Sequence, residues 1–285
     1  MATFEETSVG FKSVFQKTYN DTAADAGELA TDILSNDLIE KYTWLGNFPN
    51  MAKWIGERNV EALKDYGYTI ENQLFEASIS VPNLHIEYDK VGLYKPAIQQ
   101  MAQNAKLFGS ILVAEVLIAG HTNLCYDNKP FFAANHAIGE DTFSNIGTGV
   151  LNSTNLIAAK AHMMRVTSDN GTSLRVNPNI VVCGPQNLAN VVAAIDKQLT
   201  TAGESNTTYQ MFKYIVLPEI TGMEWYLMDN TKAIKAFVRQ IAKDAVFEAS
   251  DINKFMKDAA LFGVKSFMNV GYGLWQLAYK SSGVA

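Results

Sequence analysis

Apolar residues recur every three or four positions between residues 96 and 119, which predicts one long helix. Pro96 suits the first turn of a helix, and Gly120 is typical of a helix end. At 1.5 Å per residue this helix would be about 36 Å long. Its apolar positions are Ile98, Met101, Ala105, Phe108, Leu112, Val116 and Ala119.

Between Tyr66 and Lys90 the period changes to two, which predicts extended, ribbon-like structure. The turn of the ribbon falls either at Asn72-Gln73 or at Pro82-Asn83, because both pairs contain turn-forming residues. An isolated ribbon is marginal in water, so we expect it to need a partner surface. Deletion of residues 72–80 is then expected to leave a folded subunit that cannot assemble. The alternating apolar positions are Phe75, Ala77, Ile79, Val81, Leu84, Ile86 and Tyr88.

The first forty residues carry a loose helical stripe of aromatic rings. We interpret this segment as an arm that becomes ordered against something else, although an ordinary surface helix would show the same pattern. An unusual density of aromatic residues follows between Tyr42 and Arg58, and these rings must be buried in the subunit or against a neighbour. The stripe consists of Phe4, Phe11, Phe15 and Tyr19.

The second half of the chain predicts a compact α/β unit and then a β-rich end. Asn152 is a candidate cap for a helix to about Val166, Asn179–Cys183 reads as a buried strand, and Leu188–Leu199 reads as a helix. The polar stretch 200–208 resembles an exposed loop. The β-rich end from residue 232 to 279 is expected to return to a sheet beside the long helix. Its basic row permits a helix or a strand, of which we favour the strand: Lys232, Lys235, Arg239 and Lys243.

Composition narrows the possible functions. The 285 residues are 48% hydrophobic, enough to bury the core of one large or two intertwined domains. A net charge of -6 lacks the basic excess of sequence-specific DNA-binding proteins. The acidic N-terminus shows no secretory signal, and the apolar run 107–119 is too short to cross a bilayer. Two cysteines are too few for a disulfide framework, so we expect a protein made in the cytoplasm.

Three residues suggest chemistry, but only weakly. His121 and Cys125 stand four positions apart and His136 follows, which permits either a zinc site or a Cys–His nucleophile pair. The long helix ends before them, no second close ligand pair is present, and no Asn or Asp is marked as an orienting partner. Cys183 reads as a small core residue, and Glu140-Asp141 as a solvated loop tip. We therefore expect no catalytic residue, no metal and no cofactor.

Groups of motifs in a fixed order extend over nearly the whole chain. They are Trp44–Pro49 with Trp54–Arg58, Tyr68–Asn72 with Phe75-Glu76, Cys125–Phe132 with His136, and Glu224–Leu227 with Gly271–Tyr279. Together they resemble the Mu-like prophage major head subunit family. Several motifs in the right order are far more specific than any one of them.

The resemblance implies an α+β protein with the Hong Kong 97-like capsid fold. Residues 1–65 would form the N-terminal arm and aromatic segment, 66–94 the extended loop, 95–120 the spine helix of the peripheral domain, 121–228 the axial domain, and 229–285 the return to the peripheral domain. The implied function is a major capsid protein of the virion that assembles into pentamers and hexamers of an icosahedral shell around phage double-stranded DNA. Implied partners are other copies of the chain, with scaffold, portal and decoration proteins, and no membrane.

Three alternatives stay open at this point. An encapsulin-like nanocompartment would share the fold but enclose a cargo enzyme. A cysteine hydrolase would use Cys125 and His136. A phage tail component would form tubes or rings in place of closed shells.

Overall fold

The computed structural model describes residues 3–46, 67–200 and 203–284. Its helices are α1 Phe4–Asp21, α2 Ala26–Leu29, α3 Asn83–Glu87, α4 Lys95–Ala119, α5 Ser153–Met163, α6 Leu188–Ile195 and α7 Lys254–Lys257, with 3-10 turns at Val91–Tyr94, Pro185–Asn187 and Trp275–Leu277. Its strands are β1 Ala30–Leu34, β2 Ile39–Tyr42, β3 Tyr68–Glu71, β4 Gln73–Pro82, β5 His136–Ile138, β6 Asp141–Phe143, β7 Ile146–Gly147, β8 Ile180–Cys183, β9 Lys213–Val216, β10 Trp225–Met228, β11 Phe237–Ser250, β12 Ala259–Tyr272 and β13 Ala278–Ser281.

Two sheets organise the described residues. A four-stranded sheet has the order β1-β11-β12-β4, and a five-stranded sheet has the order β7-β13-β10-β8-β9. The first is built on the antiparallel pair β11 and β12, each 14 residues long. Two short antiparallel pairs, β2 with β3 and β5 with β6, complete the strands.

The long helix α4 takes part in two hydrophobic cores. Ile98 and Met101, in its first half, pack in the core between α1 and the four-stranded sheet. Leu112 and Leu117, in its second half, pack in the larger core that includes the five-stranded sheet. The prediction of this helix is confirmed, because Pro96 lies in its first turn and Gly120 is its C-cap. By length and composition the stretch Val91–Ala119 also qualifies as a membrane span, contrary to our expectation, although its buried residues lie in the two cores of the subunit.

The N-terminal helix packs on its own subunit. Thr3 and Glu6 form a capping box at the start of α1. The two residues have the three-residue spacing that this motif requires. Phe11 stacks edge-on against Phe262 with ring centroids 4.9 Å apart, and Phe15 lies 5.5 Å from the ring of Phe247. The helical stripe is therefore confirmed. Within this chain the stripe faces the chain's own four-stranded sheet.

The predicted ribbon between residues 66 and 90 is wrong in two respects. The strand β4 is not isolated, since it pairs with β12 along its whole length, and Val81 is fully buried. Deletion of residues 72–80 would remove most of an edge strand of the subunit's own sheet, so we expect it to destabilise the subunit itself. The second half is helical: the Asn83 amide and side chain bond to Asp258 at 2.9 and 3.0 Å, which redirects the chain into α3. The alternating apolar pattern in this half covers only five residues, which is too short to distinguish a helical turn from a strand.

Both candidate turns are real, but they bound β4 and do not close a hairpin. Asn72 separates β3 from β4, and its main-chain N–H donates to the carbonyl of Leu38 at 2.8 Å. Its side-chain amide donates to Ser35 Oγ and to the Asp37 carbonyl. The start of the predicted ribbon at Tyr66 and most of the aromatic segment before it lie outside the described residues.

The region between residues 121 and 228 contains the predicted helices and strand. Asn152 caps α5 by accepting from the Asn155 N–H at 2.8 Å, and all residues of β8 are buried. The expectation of an exposed loop at 200–208 is wrong at its end. Asn206 and Thr208 are buried, where both side chains donate to the carbonyl of Ala194.

The C-terminal part contributes to both sheets. From Phe237 the basic row lies on β11, so the favoured strand is confirmed for Arg239 and Lys243, while Lys232 and Lys235 precede it. The strands β11 and β12 contact α4, as expected. The last strand, β13, instead pairs with β10 and β7 in the five-stranded sheet.

Replacement of Phe11 by alanine tests the packing of α1. Phe11 is 2% exposed, so Phe11→Ala is expected to lower the free energy of unfolding by about 3 kcal/mol through lost burial and the cavity left behind. Urea unfolding of dissociated subunits measures it. Val9→Ala, at a position of the same helix that is 70% exposed, is the matched control and should change the value by about 0.5 kcal/mol or less. Equal effects of both variants would contradict this packing.

Candidate functional site

The structure separates the three residues singled out for chemistry. His121 lies just past the end of α4, is exposed, and its Nδ1 is 2.8 Å from the carbonyl of Ile118. Cys125 and His136 are buried and come together around Asp127. His121 is therefore not part of the cluster, which consists of Cys125, Asp127 and His136.

A tight turn brings the cluster together. The main-chain N–H groups of Cys125 and Asn128 bond to the carbonyls of Lys129 and Cys125, respectively, at 2.8 and 3.1 Å. Asn128 has a φ of 59°, a left-handed conformation that asparagine tolerates better than most residues. His136 then enters from the first position of β5. The sequence therefore places Asp127 inside a closed turn, facing the strand that carries His136.

The carboxylate of Asp127 is the centre of the cluster. The Cys125 thiol donates to Oδ1 at 3.0 Å, and His136 Nδ1 lies 2.6 Å from Oδ2. On the opposite side of the ring, Nε2 is 3.2 Å from the carbonyl of Phe131. The imidazole stacks on Trp275 with centroids 4.1 Å apart and planes 9° from parallel. Every polar atom of the cluster thus has a fixed partner.

Sequence reasoning missed Asp127. The sequence does show this carboxylate two residues after Cys125. Its contact with His136, however, depends on the geometry of the turn and cannot be inferred from the spacing of the residues. The remaining predictions hold: Cys183 is buried in β8, and Glu140 and Asp141 are exposed at the β5–β6 turn.

The geometry does not support a thiolate nucleophile. Desolvation by burial and the neighbouring charge of Asp127 raise the pKa of the Cys125 thiol far above its ordinary value. The ring of His136 faces the carboxylate and the carbonyl of Phe131, so neither contact places a base on the thiol. Hydrogen bonds from His136 and Cys125 lower the pKa of Asp127 despite its burial. In the described part of the chain, this pair lacks the arrangement that activates cysteine in Cys–His enzymes.

Two groups of exposed apolar side chains offer binding surfaces. We call the first the tip patch, because the Asn83–Asp258 contact places α3 beside the turn between β11 and β12. Its members are 55 to 79% exposed: Leu84, Tyr88, Leu93, Ile252 and Met256. The second, the corner patch, lies where Asn72 holds the turn between β1 and β2. Its members are 54 to 85% exposed: Leu34, Leu38, Ile39 and Leu74.

The two patches lie at opposite ends of β4. Leu74 pairs with Phe267 near one end of this strand, and Pro82 pairs with Ala259 at the other. Eight residues of extended chain span roughly 26 Å. Groups of exposed apolar side chains near one another often mark interaction sites.

The family model described as the Mu-like prophage major head subunit gpT matches residues 4–150, 147–220 and 216–284. The chain belongs to this family. It is a major capsid protein of a phage head, with the α+β, Hong Kong 97-like capsid fold that the sequence motifs implied.

Relatives and solved structures agree with this family. The chain is 27% identical to the Mu-like prophage FluMu major head subunit of Haemophilus influenzae, over 96% of this chain and 71% of the relative. It is 23% identical to the major capsid protein of Escherichia phage Mu, over 99% of this chain and 74% of the relative. Among solved structures, a chain of the bacteriophage JBD30 procapsid has a TM-score of 0.59 and 27% identity, with 96% of this chain and 74% of that chain covered.

Thiol labelling tests the assignment of the cluster as unreactive. Cys125 is 3% and Cys183 0% exposed, and burial raises the pKa of Cys183 to about 11, so neither thiol should react with a disulfide reagent in the native protein. Both should react after unfolding in urea. Cys183→Ala leaves Cys125 as the one thiol to follow. Rapid, complete labelling of Cys125 in the native variant would revive the hydrolase alternative.

Proposed function

We propose that this capsid protein assembles into the pentamers and hexamers of an icosahedral shell that encloses phage double-stranded DNA. The observation that carries the proposal is the pair of apolar patches at opposite ends of β4. Apolar side chains exposed to water cost free energy, and burial against neighbouring copies removes that cost. Repeated, symmetric contacts between copies of one chain then close a shell. The relatives named as head subunits and capsid proteins support this assignment.

The charge of the chain suits a container better than a DNA reader. The net charge of -6 supplies no excess of cations to release the counterions of DNA. We infer that packaged DNA is confined by the closed wall and is held without sequence-specific contacts. No catalytic residue is assigned, and the subunit acts through its surfaces.

A capsid shell has further protein partners during and after its assembly. We propose a scaffold that sets its curvature, a portal at one vertex, and decoration proteins on its outer face. The JBD30 capsid, which a solved structure describes as decorated with minor capsid protein trimers, is a precedent for the last of these. Synthesis is assigned to the cytoplasm of the bacterial host, and the final location is the virion.

The pairing of β4 bears on the position of the extended loop. We propose that the extended loop, expected at residues 66–94, does not include β4, because β4 pairs with β12 along its whole length in the subunit's own sheet. Residues 95–120 then form the spine helix, 121–228 the axial domain, and 229–285 the return to the peripheral domain, whose last strand crosses into the axial sheet.

An encapsulin-like shell shares the fold, but the family match does not favour it. A virus-like particle from Pyrococcus furiosus has a TM-score of 0.54 with 11% identity over 95% of this chain, which is a likeness of fold alone. The two candidates predict the same outer geometry and different contents. The contents therefore decide between them.

Electron microscopy of the purified protein, expressed with and without the neighbouring scaffold gene product, tests the proposed function. Closed shells or capsomer rings are the expected result, with DNA inside particles recovered from phage-producing cells. An enzyme inside would favour the encapsulin-like candidate. Open tubes would favour the tail component, and a uniformly small, monodisperse species under both conditions would contradict shell building.

Charged substitutions in the tip patch test how the shell is held together. The double variant Ile252→Asp and Met256→Asp should fold, because both side chains are 79% exposed, but should fail to close shells since it places charge in an interface. The conservative double variant Ile252→Val and Met256→Leu is the matched control and should assemble. Circular dichroism checks folding, and sedimentation measures assembly. Normal shells from the aspartate variant would exclude the tip patch from the interface.

A further inference from the structure

The cluster of Cys125, Asp127 and His136 brings together three metal-ligating side chains that shell building does not explain. His136 Nδ1 faces a carboxylate oxygen of Asp127 at 2.6 Å, and Nε2 faces the carbonyl oxygen of Phe131 at 3.2 Å. A neutral imidazole carries one N–H, which can lie on either nitrogen. With the N–H on Nε2, the Nδ1 lone pair and the carboxylate would both be free to coordinate a metal ion.

The surroundings have the composition of a zinc site. The three side chains offer a thiol sulfur, an imidazole nitrogen and a carboxylate oxygen, and these ligand atoms all lie within 4.8 Å of one another. Cysteine, histidine and aspartate are the ligands that Zn²⁺ takes in proteins. Softer sulfur and nitrogen ligands disfavour Mg²⁺ and Ca²⁺.

The outer contacts also match those of metal sites. A metal-bound histidine usually donates its second ring N–H to a carbonyl or carboxylate, and Nε2 of His136 has the Phe131 carbonyl for this purpose. The N–H of Lys129 donates to Asp127 Oδ1 at 3.1 Å and holds the carboxylate. Trp275 stacks on the imidazole and fixes the plane of the ring.

We propose that Cys125, Asp127 and His136 bind one Zn²⁺ ion per subunit, with a water molecule as the fourth ligand. This differs from our expectation from the sequence that the chain holds no metal. That expectation considered His121 as a ligand and did not consider Asp127. Bond lengths of 2.0 to 2.3 Å place tetrahedral ligands about 3.3 to 3.7 Å apart. The sulfur–oxygen and nitrogen–oxygen separations of 3.0 and 2.6 Å must therefore open slightly, by a small rotation of the carboxylate.

Binding exchanges protons for the metal. The Cys125 thiol loses its proton to solvent when sulfur coordinates Zn²⁺. Nδ1 of His136 exchanges its hydrogen for the metal, and the neutral ring then carries its one N–H on Nε2, toward the Phe131 carbonyl. No electron is transferred. Since the cluster joins the turn after α4 to β5 and to Trp275, the ion would fasten the segment that connects the long helix to the five-stranded sheet.

Metal analysis of the assembled protein tests this proposal. Protein expressed in zinc-supplemented medium and purified without chelators is expected to carry about one zinc per subunit by mass spectrometry of the metal. Cys183→Ala, which removes the other buried cysteine, is the matched control and should keep the zinc. Cys125→Ser and Asp127→Asn should each lower the zinc content per subunit by about tenfold or more. Circular dichroism should show that both variants are folded.

A second measurement covers variants that fail to fold. Co²⁺ added to metal-stripped wild-type protein should give the intense visible bands of tetrahedral cobalt and a thiolate-to-metal charge-transfer band. Folded wild-type protein that carries no zinc after purification and gives no cobalt bands would overturn the proposal and leave the cluster as a set of hydrogen bonds. Shell formation is scored separately by electron microscopy, so the proposed function stands or falls independently of the metal.

Discussion

The subunit depends on one helix that is embedded in two hydrophobic cores. The first half of α4 packs under the four-stranded sheet with Phe11 and Phe262, and the second half packs with residues of the five-stranded sheet. A continuous α-helix resists bending, so its two halves fix the relative position of the two sheets. Its 25 residues extend over about 37 Å, so one rigid element runs through both cores.

The end of the four-stranded sheet carries apolar side chains that the two cores do not cover. The turn between β11 and β12 holds Ile252 and Met256, which are exposed. A subunit of a shell can bury such side chains against its neighbours. The buried cluster around Asp127 contributes differently, since it fastens the turn after α4 and takes no part in these exposed surfaces.

The sequence predicted the elements whose signal is local and missed those that depend on distant partners. The helix α4 was predictable because Pro96, Gly120 and its apolar period agree. Strand β8 was predictable from its continuous apolar run. The helix α3 was not, because Asn83 turns the chain through bonds to Asp258, a residue far along the sequence. The same holds for the cluster, where Cys125 and His136 were visible but the turn that inserts Asp127 between them was not. The family motifs supplied the function, which no single residue carries.

The most direct test of the account is a cryo-electron microscopy reconstruction of the assembled protein at a resolution that shows side chains. We predict a closed shell in which α1 packs on the sheet of its own subunit and neighbouring copies cover the tip patch. A shell in which Leu84, Ile252 and Met256 remain in solvent would contradict the account. A reconstruction in which α1 crosses to another subunit would contradict it as well.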